Sequence, residues 1–310
     1  MNERFSGSRE GRGVADAAGE APARVVEVIE PGIQTSPLIY ASPHSGRRYA
    51  PEFLAISRLD RHALRQSEDG YVDLLFDDAP RFGSPLLRAL FPRAYVDVNR
   101  ARNEIDPRMF VDPETEEVDP RSHRVRAGLG VIPRIVADGH DIYSRKLKFF
   151  EARRRLETCY DPYHRALADL IGRTRAEFGC AVVIDCHSMP SLGGAPFRRG
   201  ERAIDFVLGD RYGSSCASSL TALVEQSLAS MGYAVSRNNP YAGGHVAATY
   251  GRPDEGVHVL QIEINRSLYL DERRLARHDG FAGLRESICQ LIDSLGDISP
   301  YFLRPAHAAE

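Results

Sequence analysis

VHVLQIEINRSLYLDE, residues 257–272, opens as a β-strand: Val, Ile and Leu abound, and alternation puts Val257, Val259, Gln261, Glu263 and Asn265 on one face. Three polar groups in succession on so apolar a strand are expensive to bury. They make sense at the end of a central strand that opens into a site, with Glu263 as the group that works there. A second stretch, Ala181–Pro190 (AVVIDCHSMP), has the same design, an apolar run ending in Asp185, Cys186, His187 and Ser188. The two strand ends are expected to share one site.

Working outward, a chain of 310 residues with 43% hydrophobic content has material for one large core. The expectation is a single catalytic domain over 25–310, preceded by a disordered segment, 1–24, with few large apolar side chains. Its 40 basic and 43 acidic residues leave a net charge of −3, which gives no broad attraction to nucleic acid or anionic membranes. Cysteines at 159, 180, 186, 216 and 289 form no CxxC pair, so neither a disulfide framework nor a zinc knuckle is indicated. No apolar run approaches the roughly 20 residues that span a bilayer, and the N-terminus lacks the apolar core of a signal peptide. A small-molecule partner and a cytoplasmic location are expected.

Along the chain, Pro37–His44 reads as a short strand, and 60–79 has helical spacing in its second half, with Asp69 and Asp73 four apart on one face. Pro85–Leu90 and Ala94–Val98 read as strands, the second running into Asn99-Arg100. Ala101–Gly128, with prolines at 107, 113 and 120, reads as a long lid or binding loop. Ile142–Phe178 reads as one helix or two, broken near Pro162. A Gly-rich loop over 191–200, a helix over 214–231, a strand over 233–236, a loop over 238–256 and a helix over 271–295 complete the pattern. Strands alternating with helices predict an α/β sandwich with a largely parallel or mixed sheet and sites at strand C-termini.

His44 and His187 each follow an apolar strand and precede a serine where the chain can turn. With Asp69 or Asp73 they make a two-histidine, one-carboxylate set suited to a catalytic zinc with one position open for water. Taken singly, each histidine is more often a hydrogen-bonded structural residue than a ligand. Asp185 shares its strand face with His187 and is a candidate partner for an imidazole, while Cys186 points away. Arg100 and Arg266 each follow an asparagine just past a strand, where a guanidinium can hold a substrate carboxylate bidentately or simply pair with a protein carboxylate. Asp97 and Asp161 read as partners of arginines or as helix caps, and Tyr163 and His164 as helix core. Gly243, Gly244 and Gly251 mark a loop able to close on substrate, with Tyr250 beside it.

Seven motifs in order, PHSGRRY (43–49), SEDGYVDLLF (67–76), DVNR (97–100), YDPYHRAL (160–167), DCHSMP (185–190), GGHVAATYG (243–251) and QIEINRSLYLDE (261–272), together resemble the N-formylglutamate amidohydrolase family over about residues 35–296. The resemblance implies a zinc-exopeptidase-like, three-layer α/β/α sandwich with a mixed central sheet, similar to zinc carboxypeptidases and aspartoacylases. It implies hydrolysis of N-formyl-L-glutamate to formate and glutamate, the last step in one route of histidine degradation. By motif, His44, His187 and Asp69 match the zinc ligands, Glu263 the general base, and Arg100 an arginine for a substrate carboxylate. Asn99, Arg266 and Tyr250 are further substrate-binding candidates. The 101–128 segment and the N-terminal extension match no family pattern. The alternatives are a zinc deacylase or exopeptidase acting on another N-acyl substrate, or a non-catalytic relative that keeps a metal or anion site.

Overall fold

The computed structural model describes residues 24–303 apart from 115–117, 137–138, 192–197 and 200–201. The segment expected to be disordered lies outside the described residues except for Arg24, as does most of the Gly-rich stretch 191–200. Seven strands form one sheet: β1 (Val26–Ile29), β2 (Leu38–Ser42), β3 (Leu86–Ala89), β4 (Ala181–Met189), β5 (Phe206–Gly209), β6 (Val235–Arg237) and β7 (Val257–Asn265). Their order in space is β1-β3-β2-β4-β7-β5-β6. β3, β2, β4 and β7 run parallel, whereas β1 and the β5–β6 pair run the opposite way, so the sheet is mixed.

β4 and β7 lie side by side near the middle and are buried at every position, as expected of parallel strands covered on both faces. The helices are α1 (Pro51–Ala55), α2 (Arg61–Arg65), α3 (Val72–Leu75), α4 (His123–Arg126), α5 (Phe149–Arg155), α6 (Asp161–Phe178), α7 (Ser218–Ser230), α8 (His245–Tyr250) and α9 (Gly280–Gly296). On one sheet face Ile39, Ala41, Val183 and Val259 pack with Tyr163, Leu167 and Leu170 of α6. On the other, Tyr40, Ile184, Cys186 and Ile262 pack with Val224 of α7 and Ile288 of α9. Each fully buried Val, Leu or Ile in these layers contributes about 1.5–3 kcal/mol.

Four expected elements come out differently. Ala94–Val98 is a run of turns, with the Tyr95 N–H donating to the Pro92 carbonyl; β3 already has β1 and β2 on its two edges and leaves no place for another strand. The 60–79 segment is not one helix: α2 ends at Arg65, and Tyr71 takes a left-handed conformation (φ 63°) just before α3, so Asp69 and Asp73 do not share a helix face. The Ile142–Phe178 helix begins only at Phe149, and its break is a π-helical turn over Leu156–Tyr160 just before Pro162, which has no N–H to give to the preceding turn. The last helix starts at Gly280, because Asp271 accepts from the N–H groups of Arg273 and Arg274 and closes a small hairpin of Leu270–Asp271 against Ala276–Arg277.

Candidate active site

Three donor groups meet above the C-terminal ends of β2 and β4. His44 stands two residues beyond β2, His187 lies on β4, and Asp69 sits in the turn between α2 and α3. The Asp69 N–H donates to the His44 carbonyl (3.1 Å) and the Ser45 hydroxyl donates to the Asp69 carbonyl (2.9 Å), which fixes the turn against the strand end. Asp69 Oδ2 lies 2.9 Å from His187 Nδ1 and 3.3 Å from His44 Nδ1. One ligating atom from each of the three residues lies within 4.8 Å of the others, all buried.

The outer nitrogens of both imidazoles are also held by carboxylates. His44 Nε2 lies 2.8 Å from Asp97 Oδ1, and His187 Nε2 lies 3.0 Å from Asp185 Oδ2. This leaves Nδ1 of each ring facing inward, the arrangement by which carboxylates orient metal-binding histidines. Burial alone would raise the Asp69 carboxyl, but hydrogen bonds from His187 and His44 outweigh it and hold it well below the usual carboxylate range. Burial likewise works against an ionised Asp97, and Arg100, Arg93 and His44 overcome it. Burial disfavours a charged His187, yet Asp185 pushes its affinity for a proton well above the ordinary value. Two imidazole nitrogens and an anionic oxygen are a donor set that fits a zinc-like divalent ion.

Glu263 stands beside this set, because β4 and β7 pair in register with His187 opposite Glu263 and Asp185 opposite Gln261. Burial pushes the Glu263 carboxyl up to about 7, with His187 opposing and Asp69 adding to the rise. A carboxyl poised near neutrality is suited to taking and returning a proton. Gln261 accepts from the Gly244 N–H through Oε1 (2.7 Å), which orients its amide so that Nε2 donates to Glu263 Oε1 (2.8 Å). Gly244 itself has no room for a side chain: a Cβ there would lie 2.4 Å from Asn99 Oδ1.

These groups line a cavity of about 350 Å³ together with Arg93, Arg100, Arg124 and Arg266. Arg100 gives Nε to the Leu129 carbonyl (2.9 Å) and one terminal nitrogen to the Asn99 carbonyl (2.8 Å). Burial, opposed by Asp97 and reinforced by Arg93 and Arg124, lowers its pKa to about 10. Arg266 gives Nε to Ser188 Oγ (3.0 Å) and a terminal nitrogen to the Glu68 carbonyl (2.8 Å) and Asp69 Oδ1 (3.2 Å), so it braces the carboxylate of the donor set. Asn99 bridges the walls: Nδ2 lies 3.2 Å from Asp185 Oδ2 and 3.0 Å from His187 Nε2, and Oδ1 accepts from the Val246 N–H. Tyr250 does not line the cavity; its hydroxyl lies 2.9 Å from His164 Nδ1. Asp73 is drawn away to Arg47 (2.8 Å), Asp161 pairs with Arg102, and Cys186 is buried on the opposite sheet face.

Asp97, Arg93 and Arg124 carry no sequence signal that places them in the site. Gln261 had a visible signal, its position on the polar face of β7. Arg93 gives its Nε to Asp97 Oδ2 (2.9 Å), and both come from turns whose direction no periodicity encodes.

The model of the family described as N-formylglutamate amidohydrolase matches residues 36–270. The N-formylglutamate deformylase of Pseudomonas aeruginosa is 31% identical over 264 residues, covering 84% of this chain and 92% of its own. That of Pseudomonas putida is 27% identical over 239 residues, covering 76% of this chain and 82% of its own. The crystal structure of N-formylglutamate amidohydrolase from Ralstonia eutropha JMP134 superposes with a TM-score of 0.84 at 36% identity, covering 90% of this chain and 99% of that one. A gene product of Agrobacterium tumefaciens shares the fold, with a TM-score of 0.61 at 16% identity over 88% of this chain and 94% of its own. On the family match, the identities and the shared architecture, the chain belongs to the N-formylglutamate amidohydrolase family.

Proposed function

We propose that the protein hydrolyses the amide of N-formyl-L-glutamate to formate and L-glutamate, using zinc held by His44, Asp69 and His187 and Glu263 as general base. The observation that carries this reading is the pairing of β4 with β7, which sets Glu263 opposite His187 at the cavity where the three donors converge. A zinc ion there would supply Lewis acidity toward the attacking water and the formyl oxygen. The Glu263 carboxylate accepts the proton of the attacking water and passes it to the nitrogen of the departing amine. Gln261 occupies one Glu263 oxygen and leaves the other for that proton. Asp97 and Asp185 hold the two imidazoles, and Arg93 brings positive charge to the same cavity wall.

Residues 25–310 act in this reading as one catalytic domain of zinc-exopeptidase-like type, its site at the C-terminal ends of parallel strands. The product pair would place the reaction at the end of a route of histidine degradation. Cys159, Cys186, Cys216 and Cys289 are free thiols, which suits a reducing compartment such as the cytoplasm. Among the described residues no helix is long and apolar enough to cross a membrane.

The test is formate release from N-formyl-L-glutamate. Zinc-loaded protein should yield equal amounts of formate and glutamate, a chelator should stop the reaction, and zinc should restore it. His187→Ala should lose both metal and turnover. No formate from the zinc-loaded protein, or undiminished turnover after the metal is removed, would contradict the reading.

A further inference from the structure

The four guanidiniums around the cavity differ in what they hold. Arg100 and Arg266 give their donors to carbonyls, Ser188 and Asp69, and Arg93 is tied through Nε to Asp97. Arg124, exposed on α4, is the one of the four whose side chain has no hydrogen bond or ion pair among the described residues. Its backbone is nonetheless fixed. The Leu129 N–H donates to the Arg124 carbonyl (2.8 Å), and the Leu129 carbonyl accepts from the buried Arg100. Val125, the next residue, is buried in the core. A free guanidinium on an anchored segment at the mouth of a site is a built recognition element, because little backbone ordering remains to oppose binding.

Charge points to the ligand. Asp69, Asp97 and Glu263 line the cavity against four arginines, and a divalent ion would add to that excess of positive charge. Arg93 and Arg124 both act unfavourably on the charge of Arg100, a crowding that an entering anion relieves. In an N-acyl amino acid the α-carboxylate is borne on the carbon next to the scissile amide nitrogen, so with that amide beside Glu263 it would lie in the inner part of the cavity. A side-chain carboxylate lies further out, toward the exposed rim.

We propose that Arg124 binds the side-chain carboxylate of the substrate and so selects dianionic N-acyl amino acids over their neutral counterparts. This rests on the hydrolytic reading above and assigns its specificity to the 101–128 segment.

The experiment compares kcat/KM for N-formyl-L-glutamate and N-formyl-L-glutamine, which have nearly the same shape and differ in the charge of the distal group. Wild-type enzyme should prefer the glutamate compound. Arg124→Ala should lose at least about tenfold on the glutamate substrate and less than about twofold on the glutamine one, through loss of a charged hydrogen bond. Arg124→Lys should recover part of the loss, since it keeps the charge without the fork. Arg126→Ala, an exposed arginine of the same helix that does not line the cavity, should leave the preference intact. Equal losses on both substrates, or none on either, would overturn the assignment while leaving the hydrolytic reading standing. Failure of the wild-type protein to hydrolyse either compound would remove the reading, and this inference with it.

Discussion

The C-terminal ends of β4 and β7 and the connection that follows β3 supply the same cavity by different means. On the strands, Asp185, His187, Gln261 and Glu263 face one way because alternation and parallel register oblige them to, and each pair of opposed residues meets across one ladder. In the connection, Arg93, Asp97, Asn99 and Arg124 come from turns and a helix of four residues. Their directions are set by individual bonds, such as Asp97 N–H to the Val131 carbonyl and Arg100 to the Leu129 carbonyl. In the proposed reaction the strands carry His187 and Glu263, where small displacements are least tolerated. The connection carries groups that hold His44 and would face substrate, where change is easier.

Two substitutions probe this contrast from its two sides. Asp185→Asn on the strand and Asp97→Asn in the turn should each weaken zinc binding by roughly 10- to 100-fold, the usual cost of losing a carboxylate behind a ligating histidine. Asp97→Asn should in addition lower the melting temperature, because Arg93 and Arg100 lose their charged partner. Undiminished zinc affinity in both variants would mean that the imidazoles are held without these carboxylates.

A smaller effect is expected at Gln261, where a strand residue and the Gly243–Gly244 turn meet. Gln261→Met removes the donor to Glu263 while keeping the volume, so kcat should fall roughly tenfold with KM and zinc content unchanged. A rise in KM at constant kcat would instead make Gln261 a substrate contact.

Legibility in the sequence follows the same division. VHVLQIEIN and AVVIDCHSM announce strands through their apolar runs, and period-2 alternation placed Asp185 with His187 and Cys186 on the far face, as the sheet has them. A sheet with intervening helices followed from the alternation of elements, which left it largely parallel or mixed. β1 and β5, four residues each, went unseen as strands, although β3 of the same length and the shorter β6 were read. The 60–79 segment has helical spacing in its second half, and nothing local marks Tyr71 for a left-handed turn; Asp69 lies before that turn and reaches the histidines. Arg100 and Arg266, from their position after strands, read either as clamps for a substrate carboxylate or as partners of a protein carboxylate, and Arg266 does pair with Asp69. Their occupation by Leu129, Asn99, Ser188 and Glu68 depends on chain segments far away in sequence.

The proposed chemistry depends on the β4–β7 strand pair, and Glu263→Gln tests that dependence most directly. The amide keeps the size of the side chain and its contact with Gln261 but cannot take a proton. Zinc content and folding should match the wild type while formate release from N-formyl-L-glutamate falls by roughly 10²- to 10⁴-fold. Turnover close to wild type, with zinc fully bound, would contradict the role of Glu263 and with it the assignment of the β4–β7 strand ends as the seat of the chemistry.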